Sequence, residues 1–378
     1  VSGAVSLDAT PAVSVIVPIY NAARFLEKCL SSLVAQTFDD FEAICVDDGS
    51  TDASANIVRG FVDRDERFSL VSKENSGYGA SMNMGLDRAR GRYVAILESD
   101  DFFDPQALEL LVFAAEAADA DVAKGNFWLY WSSPSERRVP FSVVDAPLVG
   151  RTICPRRDDD MAIFFRKPSI WSGVYRRSFL EENGIRFLET PGASYQDAGF
   201  NFKVWAAAER ATFIADCVLC YRQDNEASSV KSSAKAFCVC DEYQSMAEFV
   251  DEHFSGVEAT HLTGILERMK LDSYLWNYDR LDESLRPQFV ERISCEMADD
   301  VAKGRVDRTL FEPGAAADLD ALIADPKRFV RSRKAQTGPA GSVARYLVLG
   351  GMPLLTKALQ FKARGHSARR TNKEGAAL

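Results

Sequence analysis

Two hydrophobic periods alternate along this chain. Between Val13 and Phe127, short β-rich apolar runs (VSVIVPI, FEAICV, FSLVS, YVAIL and DVAKGNF) are separated by stretches whose apolar residues recur three or four apart: RFLEKCLSSLVAQ, ASANIVRGFVDRD, YGASMNMGLDRA and PQALELLVFAAEAA. Strand and helix in regular succession predict an α/β fold, a mainly parallel sheet flanked by helices. A ligand site is then expected beyond the carboxyl ends of the strands, which makes 13–127 a nucleotide-site candidate behind a short N-terminal tail, 1–12. Over 128–232 the pattern is broken by Pro134, Pro140, Pro147, Pro155, Pro168 and Pro191, leaving one clear helix near Ala198–Glu209. From 233 to 325 helical periodicity returns, as in HLTGILERMKLDSYLWNYDRL, and predicts an all-helical C-terminal region.

Composition adds an asymmetry. The 378 residues carry a net charge of −10, yet 326–378 hold twelve Lys and Arg against the single acid Glu374. That end is +11 and the preceding 325 residues are −21. The acidic body excludes general nucleic-acid binding. The basic end, with the amphipathic VARYLVLGGMPLLTKALQF, reads either as attachment to an anionic membrane surface or as a segment packed on the helical region. Its apolar run Tyr346–Leu355 has half the length needed to span a bilayer and contains Gly350, Gly351 and Pro353. Eight scattered cysteines form no dense disulfide framework, and the first residues show no secretory pattern, so a reduced, cytoplasmic chain is expected. Cys217-x-x-Cys220 and Cys238-x-Cys240 read as a strand and a helix rather than a zinc knuckle.

The candidate chemistry is carboxylate chemistry. No G-x-x-x-x-G-K-[ST] loop is present, and Gly77 and Gly79 supply two of the three glycines of a dinucleotide fingerprint. His253, His261 and His366 all fall outside the α/β half, which excludes a histidine-activated nucleophile there. Acids cluster instead where strands end: Asp47-Asp48-Gly49-Ser50-Thr51-Asp52 and Glu98-Ser99-Asp100-Asp101. Singly, each reads as a helix cap; together they suit a hard divalent cation presented to phosphates.

VSVIVPIYN (13–21), DDGSTD (47–52), NSGYGASMNMG (75–85) and ESDDFFD (98–104), in this order, resemble the family 2 glycosyltransferases, inverting enzymes of GT-A fold that use nucleotide-diphosphate sugars. The resemblance is close over 13–125 and looser to Gln223. It implies a nucleotide-sugar-binding half, 13–127, and an acceptor-side half, 128–232. Pro18, Tyr20 and Asn21 would flank the base, with Tyr20 stacking on it, and Asp48 would accept from a uracil N–H. Glu98, Ser99 and Asp100 stand at the Asp-x-Asp position, with Asp100 and Asp101 as ligands of Mn²⁺ or Mg²⁺. Gly77 and Gly79 would let the backbone approach the donor. Asp197, after Gln196, would be the general base. On the acceptor side Gln196 would stand with Trp171, which would form a sugar-stacking wall, and Arg222 would meet the diphosphate. Glu98, Gln196 and Met82 depart from the family's usual Asp, Glu and Arg. The implied partners are a nucleotide-sugar donor, probed first as UDP, and a glycan or lipid-linked acceptor in surface polysaccharide synthesis. Two other classes compete: a catalytically silent nucleotide-sugar-binding scaffold, which Glu98 and Gln196 favour, and a nucleotidyl transferase, which wants a basic glycine loop that Val15–Asn21 does not contain.

Overall fold

The computed structural model describes residues 10–157, 161–192, 194–225, 236–337 and 340–375. The chain divides into two compact units, Val1–Val230 and Lys231–Leu378. The expected boundary at 232/233 and most of the 1–12 tail lie outside the described residues.

The first unit is built on one sheet. Strands β1 (Val13–Ile19), β2 (Phe41–Asp47), β3 (Phe68–Ser72) and β4 (Tyr93–Ile96) lie parallel in the order β3-β2-β1-β4. All of β1 is buried, which is why its sequence is continuously apolar rather than alternating. Helix α1 (Ala23–Val34) buries Leu26, Cys29, Leu30 and Leu33, one stripe of its surface. Helices α2 (Ser54–Val62), α3 (Tyr78–Arg88) and α4 (Ala107–Ala117) make the remaining crossovers.

The parallel part of the expected α/β sheet is this four-stranded half, and beyond β4 the sheet is mixed. The short β5 (Phe102–Phe103) runs antiparallel to the long β10 (Ala211–Arg222), while β6 (Val122–Trp131) is parallel to β10. Strand β7 (Arg137–Phe141) folds back on β6 as a hairpin, and β8 (Thr152–Ile153) pairs with β10. Strand β9 (Gly173–Arg176) enters antiparallel between β4 and β6. A late strand inserted between two earlier ones leaves no local signal, because apolar runs carry no direction. Helices α5 (Arg177–Glu182) and α6 (Gln196–Ala207) follow β9. Helix α6 is buried along most of its length, including Phe200, Phe202, Val204 and Trp205.

The second unit contains α7 (Cys238–His253), α8 (Gly256–Arg280), α9 (Arg286–Ala302), α10 (Pro313–Ala324), α11 (Pro326–Gln336) and α12 (Gly341–Gly375). Tyr274 sits edge-on to both Tyr243 and Phe289 in its core. The basic end is helical and partly packed: Phe329, Tyr346, Leu349 and Ala358 are buried. Asp318, fully buried on α10, accepts from Arg345 and lies 3.7 Å from Arg333. Two of the basic residues are thereby held by internal carboxylates. Helix α12 kinks at Gly350 and Gly351 and leaves Leu347, Met352 and Leu359 exposed. Among the described residues no helix is long and apolar enough to cross a membrane.

One buried acid makes the second unit pH-sensitive. Glu267 is 1% exposed; Lys270 lies 3.9 Å from it and donates to Asp300 at 2.6 Å. Burial, reinforced by Asp300 and opposed by Lys270, raises the Glu267 carboxyl from 4.5 to about 7. An acid whose pKa is higher folded than unfolded binds more protons when folded, so its contribution is complete below pH 4.5 and is lost as pH rises toward 7. The full loss is at most about 3 kcal/mol. Glu267→Gln is expected to shrink the fall in melting temperature between pH 5 and pH 8. An unchanged fall assigns the pH dependence to other groups.

Candidate active site

The turn after β4 carries three acids, and the end of β10 holds it in place. Glu98 is half-buried and accepts from the Tyr78 hydroxyl at 2.6 Å. Burial, with Asp100 and Asp197 adding repulsion, lifts its carboxyl to about 8 even against that hydrogen bond. Asp101 is 1% exposed. Its Oδ1 accepts from the Arg222 backbone N–H at 2.8 Å, whereas its buried Oδ2 has no hydrogen-bond partner. Burial and then Asp100 push the Asp101 carboxyl well above the usual range. Asp100 is half-buried, and its Oδ2 accepts from the Asn225 amide at 2.8 Å.

Asp197 joins this group from the first turn of α6. Tyr195, at a left-handed φ of 59°, turns the chain into that helix, and Asp197 Oδ1 accepts from the Ala198 N–H at 2.8 Å. Burial raises the Asp197 carboxyl, while the Ala198 N–H and the Lys167 ammonium pull it back. Lys167 also acts on Asp101. Its ammonium lies 4.4 Å over the Tyr221 ring.

The β1 and β2 ends form the other wall. Tyr20 is 55% exposed and Asn21 has a left-handed φ of 50°. The Asn21 side chain accepts from the Thr51 N–H at 2.8 Å, and its own N–H donates to Ser50 Oγ at 3.0 Å. The DDGSTD turn is thus tied to the end of the buried β1, where Pro18 lies, leaving the Tyr20 ring open.

At five of the expected places the side chain or backbone already has contacts within the protein. The Asp48 carboxylate already accepts from the Lys73 ammonium and from the N–H groups of Ser76 (2.9 Å) and Gly77 (3.0 Å), so it anchors the 73–77 loop. Arg222 does not present its guanidinium to open space: it is held by the Asp100 carbonyl (2.9 Å), Ser132 (3.2 Å) and Asp224 (3.4 Å), 4.5 Å over the Phe25 ring. Trp171 is buried and stacked on Tyr221, with ring centroids 4.9 Å apart, which makes it a packing residue. Gln196 is 1% exposed and spends its amide on Thr190 Oγ1 (2.8 Å), the Gly192 carbonyl and the Ser194 N–H, bracing the loop before Asp197.

The fifth concerns Gly77 and Gly79, whose close approach is to the chain's own backbone. Gly77 has φ 97°, and a Cβ there would lie 2.8 Å from the Thr190 carbonyl. A Cβ on Gly79 would fall on the Leu188 carbonyl, 2.9 Å from its carbon. Gly79→Ala is therefore expected to cost about 2 kcal/mol or more and to shift the loop that braces Asp197. A melting curve checks it against Gly60→Ala, whose Cβ meets nothing closer than 3.9 Å. Equal melting temperatures for the two variants would refute the packing argument.

Lys167, Tyr78 and Tyr221 are site residues that sequence reasoning did not single out. Tyr78 lay within a quoted motif; Lys167 and Tyr221 are brought in by the loop before β9 and by β10, through contacts distant in sequence.

A group of buried and half-buried carboxylates at the carboxyl edge of an α/β sheet defines the class, a protein whose ligand site lies where open sheets of this kind bind their ligands. The Glycosyl transferase family 2 model matches residues 14–203, and the chain belongs to that family. Glycosyltransferase GlyG of Streptococcus pneumoniae serotype 4 is 40% identical over 221 residues, 56% of this chain and 70% of GlyG. Glycosyltransferase GlyA of the same organism is 31% identical over 221 residues, which take in 30% of GlyA. The match to EpsH of Bacillus subtilis takes in 61% of that protein, so the chain spans less than two thirds of either GlyA or EpsH. The crystal structure of TarS 1–349 of S. aureus superposes with a TM-score of 0.66 at 20% identity, covering 85% of this chain and 90% of that one, a likeness of fold.

Proposed function

We propose that the chain transfers a sugar, with inversion, from a nucleotide-diphosphate donor to a hydroxyl of a glycan or lipid-linked acceptor in surface polysaccharide synthesis. The observation that carries the reading is the gathering of Glu98, Asp100, Asp101 and Asp197, three of whose carboxyls are raised by burial, with repulsion from neighbouring acids adding to it at Glu98 and Asp101. Asp197 takes the proton of the acceptor hydroxyl; that oxygen bonds to the anomeric carbon as the bond to the diphosphate oxygen breaks on the opposite face. Lys167 favours the ionised, proton-accepting form of Asp197. Tyr20 offers an open ring for the base, beside Asn21. A uridine donor is the first choice because the TarS fold neighbour is described in complex with UDP-GlcNAc and with UDP.

The residues fit a divalent cation. Asp101 Oδ2 is a buried oxygen without a donor, and Asp100 stands beside it, half open. Among the described residues no three His, Cys, Asp or Glu side chains close into an all-protein cage. Two carboxylates completed by phosphate and water oxygens are the arrangement Mg²⁺ and Mn²⁺ accept. Bound there, such an ion supplies Lewis-acid stabilisation of the charge that builds on the departing diphosphate. Calorimetry with UDP, GDP, CDP and dTDP, with and without Mn²⁺, tests the reading. One diphosphate is expected to bind and to be released by chelator; no binding by folded protein moves the reading to the silent scaffold.

The same reading places the protein on the cytoplasmic face of the membrane through α12. Its exposed Leu347, Met352 and Leu359 and its exposed Lys357 and Lys362 suit an anionic lipid surface. Sedimentation with vesicles containing one third phosphatidylglycerol is expected to retain the full chain and to release a Leu347→Ser/Met352→Ser/Leu359→Ser variant. Equal retention of both ends the membrane reading.

A further inference from the structure

The β6–β7 hairpin presents an exposed face beside the candidate site. Strand pairing sets Phe127 opposite Phe141, Leu129 opposite Val139 and Trp131 opposite Arg137. Residues two apart on a strand share a face, so these three pairs lie on one face about 13 Å long, closed at the fully buried Phe127 and open along Trp131, Val139 and Phe141. On the other flank of β6, β10 places Tyr221 beside Leu129. The aromatic groups are continuous: Phe141 stacks on Phe127 with centroids 4.9 Å apart, Phe127 meets Trp171 edge-on at 4.5 Å, and Trp171 stacks on Tyr221 at 4.9 Å. One cation lies at the hairpin end and another on the β10 flank. The Arg137 guanidinium lies 4.0 Å over the Trp131 ring and the Lys167 ammonium 4.4 Å over Tyr221.

Two features separate this surface from ordinary packing. Every residue of β7 is exposed, with Val139 at 40% and Phe141 at 37%, and Trp131 and Tyr221 remain partly open. A bare strand with large apolar groups invites edge pairing unless something else covers it. On its Tyr221 side the surface adjoins the reaction centre, because the next residue, Arg222, donates its backbone N–H to Asp101 Oδ1 at 2.8 Å. Aromatic faces in a row accept the apolar faces of sugar rings, and cations beside them accept carboxylates or phosphates.

We propose that this face is the acceptor track and that its ligand is an oligosaccharide carrying acidic substituents. The inference rests on the glycosyltransferase reading and narrows it. Sugar rings lie along Trp131, Phe141 and Tyr221; the acidic groups pair with Arg137 and Lys167. The track leads the growing end of the glycan to Asp197.

The test uses the full chain and follows tryptophan fluorescence, since Trp131 lies on the track and the buried Trp171 packs against its Tyr221. The probes are a galacturonan hexasaccharide, a phosphodiester-linked oligohexose and neutral cellohexaose. At least one acidic probe is expected to bind about tenfold or more tightly than cellohexaose and to weaken as salt is raised; which one binds separates carboxylate from phosphate recognition. Val139→Glu sets a like charge in the middle of an exposed strand and is expected to weaken that probe about tenfold, while Val139→Thr, neutral and β-branched, retains it. Acidic probes that bind no better than cellohexaose, or a Val139→Glu chain that binds as the parent does, overturn the proposal. Diphosphate binding by the parent chain, measured alongside, tests the glycosyltransferase reading separately.

Discussion

Asp197→Asn is expected to leave nucleoside diphosphate binding intact and to lower sugar transfer by roughly a hundred- to ten-thousandfold, the range for loss of a general base. The substitution is nearly isosteric, and the amide oxygen can still accept from the Ala198 N–H, now 2.8 Å from Oδ1, so the first turn of α6 keeps its geometry. What disappears is the capacity to take a proton. Because burial already raises the Asp197 carboxyl, the neutral amide also removes a repulsion felt by Glu98. The metal-free variant should therefore melt no lower than the parent. Calorimetry with the bound diphosphate and a transfer assay at saturating donor separate the two effects. A variant that loses diphosphate binding but transfers normally once donor is bound would reverse the role given to Asp197.

Asp101→Asn is expected to abolish the Mn²⁺-dependent part of diphosphate binding. Its Oδ1 is committed to the Arg222 N–H at 2.8 Å, a contact an amide oxygen preserves, so the turn between β4 and β5 stays tied to the end of β10. The partnerless Oδ2 is the atom that changes character. An amide in that place has no charge to offer a cation and, being neutral, costs less to bury than a carboxylate. Affinity measured with Mn²⁺ should fall at least about tenfold and become insensitive to chelator, while the melting temperature of the metal-free protein holds or rises. Persistent chelator sensitivity would show that Asp101 is not a metal ligand. A melting temperature well below the parent's would make Asp101 a purely structural acid, held for the sake of β10.

Much of the first half was legible because its signals are local. The strand Val13–Ile19 is apolar over its whole length since both faces are covered, and the helices announce themselves by spacing, as with Leu26, Cys29, Leu30 and Leu33. The acidic motifs were readable for the same reason: each is a short run at the end of a strand. The partners of those motifs were not. Whether Asp48 faces a base or a lysine depends on Lys73, twenty-five residues away and brought back by β3. Arg222 and Trp171 carry the residue types of a phosphate clamp and a sugar wall, yet tertiary packing encloses one among Asp100, Ser132 and Asp224 and stacks the other on Tyr221.

The sequence by itself determined the alternation of strand and helix, the helical nature of the C-terminal unit, the charge asymmetry and the acids that chemistry would require. These follow from periodicity and composition, which act over a few residues. Only the tertiary structure decided that β9 runs antiparallel between β4 and β6, that Lys167 comes to stand beside Asp197, and that Gly77 and Gly79 serve a backbone crossing. It also decided that Asp101 keeps a buried oxygen without a donor. Each is a matter of which surfaces meet, and close packing selects among meetings that the linear pattern leaves equivalent.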